Sequence, residues 1–83
     1  MTLEVLYFAW LRERIGIPRE RVETRAATVR GLVVELCAID ARHATALADL
    51  DAVRVAVDQV LADLDTPLDG AREVAFFPPM TGG

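Results

Sequence analysis

The sequence predicts an α+β fold in which one main amphipathic helix lies across one face of a mixed sheet. Three observations predict it. Val29, Leu32, Val33, Leu36 and Cys37 fall at i, i+3, i+4, i+7 and i+8, a single apolar stripe at helical period. Residues 3–9, 51–59 and 72–77 are short stretches rich in β-branched and aromatic side chains. The chain has 83 residues, a length that buries only around two-thirds of its unfolded surface and fills one small core.

Taken in order, residues 3–9 read as a strand with Leu3, Val5 and Tyr7 on one face and Glu4, Leu6 and Phe8 on the other. Residues 10–15 form a short helical turn ended by Gly16 in the left-handed conformation, with Pro18 preventing continuation. The polar–apolar alternation of 21–25 fits an edge strand folding back on the first as a hairpin. Thr28 is placed to cap the helix that follows, and Gly31 inside that helix costs up to about 1 kcal/mol against alanine. Asp40 lies at or just past its end. The alanine-rich 41–50 reads as a loop holding at most a short helical turn. Strict alternation over 51–59 turns Val53, Val55 and Val57 inward, and Asp58-Gln59 leads into a short strand at 60–62. Residues 63–70, with Pro67 and Asp69-Gly70, carry turn signals. The last strand, 72–77, puts Val74 and Phe76 on one face and Ala75 and Phe77 on the other.

A hairpin, a helix and further strands in that order satisfy both apolar stripes as a right-handed ββαββ arrangement, the ubiquitin-like β-grasp. Residues 1–77 make the domain. Residues 78–83 make an extended, flexible tail, because Pro78 and Pro79 leave the sheet ladder and keep Phe77 out of a helix, and Gly82-Gly83 carry no side chains. Six extended residues reach about 20 Å, enough to enter a buried site in another protein. A frayed glycine pair without function is the competing reading of this end.

The composition is 53% hydrophobic and 27% charged, that of an ordered chain. A net charge of −4 without a basic cluster argues against nucleic acid and anionic lipid as partners and favours a basic docking surface. All nine basic residues are arginine, so no lysine side chain is present for an activated terminus to attack. The single cysteine rules out an internal disulfide, there is no basic leader, and no apolar run nears membrane-spanning length. The cytoplasm is the expected compartment.

Few residues point to chemistry. Cys37 sits on the core stripe, where a thiol is inert. His43, the one histidine, has no second ligand at metal spacing and is expected at the surface, so no metal site is expected. Asp63 and Asp65 flank a turn, and Gly70 belongs to no phosphate-binding pattern. What remains is the carboxylate of Gly83, ionised at neutral pH and able to attack the α-phosphate of ATP if another enzyme supplies metal and positioning. A second clue is apolar: Leu6, Phe8, Leu61, Ala75 and Phe77 are all expected on the sheet face away from the helix, an interaction surface beside the tail.

Residues 73–83, Glu-Val-Ala-Phe-Phe-Pro-Pro-Met-Thr-Gly-Gly, closely resemble the C-terminal signature of the small subunit of molybdopterin synthase, the MoaD family of sulfur carriers. The likeness runs through Val5–Ala9, Leu11-Arg12-Glu13, Ala56–Gln59 and the Pro67-Leu68 loop with Gly70. It implies that Gly83 is adenylated by a MoeB-type activating enzyme at the expense of ATP and converted to a thiocarboxylate. It implies insertion of the tail (Pro78, Pro79, Met80, Thr81, Gly82) into the large, MoaE-type subunit, two carriers flanking a dimer, to give sulfur to cyclic pyranopterin monophosphate. It implies docking through Phe8, Leu61 and Phe77, with no cofactor bound by this chain and no catalysis of its own. Asp58 stands where asparagine is common, Arg72 where an acidic residue is usual, and Met80 where valine is typical. A carrier for another pathway, such as the thiamine-type, or a ubiquitin-like modifier is the alternative; the thiamine-type carriers end in Gly-Gly but lack the Phe-Phe-Pro-Pro exit.

Overall fold

Alternation along the first strand sets the architecture, with Leu3, Val5 and Tyr7 buried and Glu4 and Leu6 half-buried on the opposite face. The computed structural model describes residues 1–79. In chain order the elements are β1 (Thr2–Tyr7), α1 (Ala9–Ile15), β2 (Arg19–Glu23), α2 (Val29–Cys37), α3 (Ala41–Ala46), a 3-10 turn (Leu50–Ala52), β3 (Arg54–Val57), β4 (Val60–Ala62) and β5 (Glu73–Phe77). The five strands form one sheet in the order β2-β1-β5-β3-β4. β1 and β5 run parallel at its centre, and the other three pairings are antiparallel. β1 alternates buried and half-buried residues, whereas Val74, Ala75 and Phe76 of β5, between two neighbouring strands, are all buried in succession.

The helix forms where its apolar stripe predicts it. Thr28 caps it with its hydroxyl oxygen accepting from the Gly31 N–H, and the N–H groups of Val29 and Arg30 donate to the carbonyls of Thr66 and Leu64. The 63–68 loop thus satisfies first-turn donors that would otherwise lack partners, and it seats Leu68 fully buried in the core. Gly31 has a packing reason: a Cβ there would meet the Ala26 Cβ at 3.1 Å, so glycine lets the incoming loop lie close against the helix. Gly16 ends α1 at φ 96, its N–H donating to the Arg12 carbonyl, a conformation costly for any residue with a Cβ.

Three expectations are corrected. The 41–50 stretch, expected as a loop with at most a short helical turn, holds a six-residue helix, α3 (Ala41–Ala46), capped by Asp40, whose carboxylate accepts the His43 N–H at 2.9 Å. His43 is 4% exposed and not at the surface, because α3 lays it against β1 and β2 and carboxylates meet both ring nitrogens. The edge strand begins two residues early: Pro18 cannot donate, yet its carbonyl accepts the Tyr7 N–H at 2.9 Å, so the pairing starts directly beyond it.

Candidate functional site

The sheet face away from α2 carries the candidate surface, and strand register decides its layout. Leu6 pairs with Ala75, Ala75 with Ala56, and Ala56 with Leu61, so these four side chains form one apolar row straight across β1, β5, β3 and β4. The two alanines make the middle of the row low. Leu61 stands 72% exposed at one end, while Ala75 is only 8% exposed and forms the floor between its neighbours. Ala56 was not singled out from sequence, although its position between inward Val55 and Val57 was the available signal.

One step toward the C-terminal end of β5, Phe77 lies opposite Arg54 of β3. On its other side the Phe8 N–H donates to the Phe76 carbonyl at 3.1 Å, continuing the parallel ladder, and leaves the Phe8 side chain 45% exposed. Ala9, at φ 53, turns the chain sharply from there into α1. The end of β5 is therefore flanked by an exposed aromatic and by Arg54, whose guanidinium donates to the carbonyls of Asp51 and Val53 at 3.3 Å, a position that the sequence did not reveal. Pro78 and Pro79 follow without regular structure, half-buried. Met80, Thr81, Gly82 and Gly83, expected in the inserted tail, lie outside the described residues.

The opposite half of the same face is charged. Arg19 lies 2.7 Å and Arg21 3.4 Å from Glu4, and the bond from Arg19 holds the Glu4 carboxyl below its ordinary range. At the foot of β5, Asp58 and Gln59 form the two central residues of a hairpin turn at φ 49 and 70, the conformation that favours Asn and Asp. The Asp58 carboxylate accepts the N–H groups of Arg72 and Glu73, each at 2.9 Å. An asparagine carbonyl would accept the same two bonds, so this departure from the usual pattern keeps the contact that anchors the strand.

Other candidates are absorbed by the fold. Cys37 is half-buried, and burial pushes its thiol pKa up, away from reactivity. Asp63 accepts from the Asp65 N–H and the Thr66 hydroxyl, and Asp65 pairs with Arg30 at 3.1 Å. Among the described residues no cluster of three or more His, Cys, Asp or Glu is arranged to hold a metal, and no helix is long and apolar enough to cross a membrane. A cavity of about 280 Å³ lies between the 3-10 turn, β3 and β4, lined by Leu50, Val53, Val55, Ala62, Leu64 and Phe76 with Arg54 and Asp63 as its charged members.

A mixed sheet under one main helix, with an apolar row crossing its last strand on the face away from that helix, defines a ubiquitin-like β-grasp protein. The ThiS family model matches residues 5–83. The chain is 42% identical to the molybdopterin synthase sulfur carrier subunit of Escherichia coli (strain K12) over 98% of this chain and 99% of that one. It is 37% identical to the subunit of that name in Haemophilus influenzae, again over 98% and 99%. Among solved structures, SAMP1 from Haloferax volcanii, a small archaeal modifier protein, superposes with a TM-score of 0.76 at 28% identity, covering 100% of both chains. The chain belongs to the ThiS family, among the MoaD-type sulfur carriers.

Proposed function

We propose that this chain is the sulfur carrier subunit of a molybdopterin synthase. The observation that carries the reading is the 42% identity to a protein of that name along essentially the full length of both. The geometry supports it: an apolar row on the face away from α2 crosses the strand that leads into the Pro-Pro tail.

In this reading the Gly83 carboxylate attacks the α-phosphate of ATP within a MoeB-type enzyme, and pyrophosphate leaves. A sulfur nucleophile displaces AMP from the acyl-adenylate, leaving a thiocarboxylate. The chain then docks on a MoaE-type large subunit through Phe8, Leu61, Phe77 and Leu6, with Ala75 as the floor. Its tail, Pro78 to Gly82, enters the large subunit's active site, where the sulfur passes to cyclic pyranopterin monophosphate. The chain catalyses none of these steps and binds no cofactor; its setting is the cytoplasm. Incubation with a matched activating enzyme, ATP and a sulfur donor should add an oxygen-to-sulfur mass increment at Gly83. Deleting Gly83 should abolish the increment and leave the fold intact, and persistent absence of the increment in the native chain would sink the proposal.

The likeness to SAMP1 favours a second reading, conjugation to other proteins. Covalent ladders on foreign lysines in cells would support it, whereas a stable complex with the large subunit supports the first.

A further inference from the structure

One group of polar side chains, the buried His43 and Tyr7 with the partly exposed Glu20 and Asp40, serves neither the tail nor the outer face. His43 donates from Nδ1 to Asp40 Oδ1 at 2.7 Å and from Nε2 to Glu20 Oε2 at 2.6 Å. The Tyr7 hydroxyl donates to the same Glu20 oxygen at 2.6 Å. A carboxylate only accepts, so a ring bonded to one at each nitrogen must carry a proton on both: His43 is held as the imidazolium. These residues come from separate elements, His43 from α3 and its cap Asp40, Glu20 from the edge strand β2, Tyr7 from the central strand β1. Tyr7 in turn meets the His43 ring edge-on at 6.1 Å and stacks on Phe76 of β5 at 6.2 Å, one residue before the strand reaches the tail exit.

We propose that the Asp40–His43–Glu20–Tyr7 chain is a proton-operated latch that ties α3 to β1 and β2 against the tail-bearing strand, closed while His43 is protonated and released when the proton leaves.

Neutral imidazole keeps one N–H, so on deprotonation one of the two carboxylates faces a lone pair of the buried ring, and the bonds that span the elements can no longer all be made. The charges that bear on the ring are Asp40 from its own helix cap and Glu20 from β2; from β1 comes only the neutral Tyr7 phenol. From α1 and α2, no charged side chain among the described residues bonds to it, and the Arg42 guanidinium of α3 lies instead beside Gly16. Burial alone would lower the proton affinity of His43. The two carboxylates outweigh it and raise the pKa above the ordinary 6.5. The sign follows: the contribution is complete below the unfolded chain's value near 6.5 and is lost as pH rises through the higher folded value.

The test reads the full chain alone and is independent of sulfur transfer, so its failure would leave the proposed function standing. The His43 ring is titrated by NMR, and exchange of the Leu47 amide, which donates to the His43 carbonyl at 3.0 Å, is followed at each pH. A ring midpoint above 6.5 is expected. Amide protection should fall as pH passes that midpoint, in total about tenfold for each unit by which it exceeds the unfolded value. His43→Gln should abolish this fall. Should that variant not fold, Glu20→Gln serves, since removing one carboxylate must lower the midpoint. A midpoint at or below 6.5, protection that ignores pH, a fall unchanged in His43→Gln, or a midpoint unmoved in Glu20→Gln would each overturn the latch.

Discussion

The two faces of the sheet are built from the same strands yet end in opposite conditions. On the α2 side, Leu3, Val5, Val74 and Phe76 are sealed by a helix whose Leu32 and Val29 are equally inaccessible. On the other side Leu6, Ala56, Leu61, Phe8 and Phe77 are just as apolar, but no element of the described chain covers them. The difference teaches that hydrophobicity in this molecule has two uses, one discharged within the chain and the other left for a visitor. Under the proposed function, the second lies close to the end of β5 so that a partner held there would receive the tail as well.

The comparison can be broken hardest at Phe76. Phe76→Ala opens a cavity on the sealed face and should cost about 3–5 kcal/mol, much of the roughly 4–12 kcal/mol that a chain of this size has, read as a lower urea midpoint. At the boundary between the faces, Asp58→Ala removes the acceptor of two backbone N–H groups and should cost about 1–2 kcal/mol; Asp58→Asn should stay within about 0.5 kcal/mol of the native chain. Equal losses for the two variants would mean that the carboxylate's charge, and not its acceptor geometry, anchors β5. Thr28→Ala weakens the covering helix at its cap by about 1 kcal/mol, checked in the same denaturation series. The smallest stability effect belongs to the open face: Leu61→Ser should change the unfolding free energy from urea titration by no more than about 0.5 kcal/mol. Its affinity for the large subunit should nevertheless fall about tenfold by calorimetry. A destabilised Leu61→Ser with unchanged affinity would show that both faces serve the fold.

Much of this was legible in the residues. Local rules placed the cap at Thr28, the stop at Gly16, the turn at Asp58-Gln59 and the inward set Leu3, Val5 and Tyr7, since each depends on backbone geometry within a few positions. The outer row was legible as a face but not as a line. Alternation tells which side Leu6 and Leu61 occupy, whereas only pairing register shows that Ala75 and Ala56 lie between them. His43 was misplaced for a related reason. The partner of its Nε2 lies 23 residues away, and nothing in an alanine-rich stretch announces that α3 will carry a histidine onto β2. Leu68 was likewise missed, because its burial depends on the loop bonding to the start of α2.

Read alone, the amino-acid order settled the periodicities, caps and turns, and through a tail signature the family, because short-range sterics and hydrogen-bond supply act between neighbours along the chain. Packing settled what neighbours cannot: a continuous apolar row, Arg54 opposite Phe77 at the end of β5, and a histidine held between two carboxylates. Those depend on which strands pair and in what register, a choice made by the whole core at once.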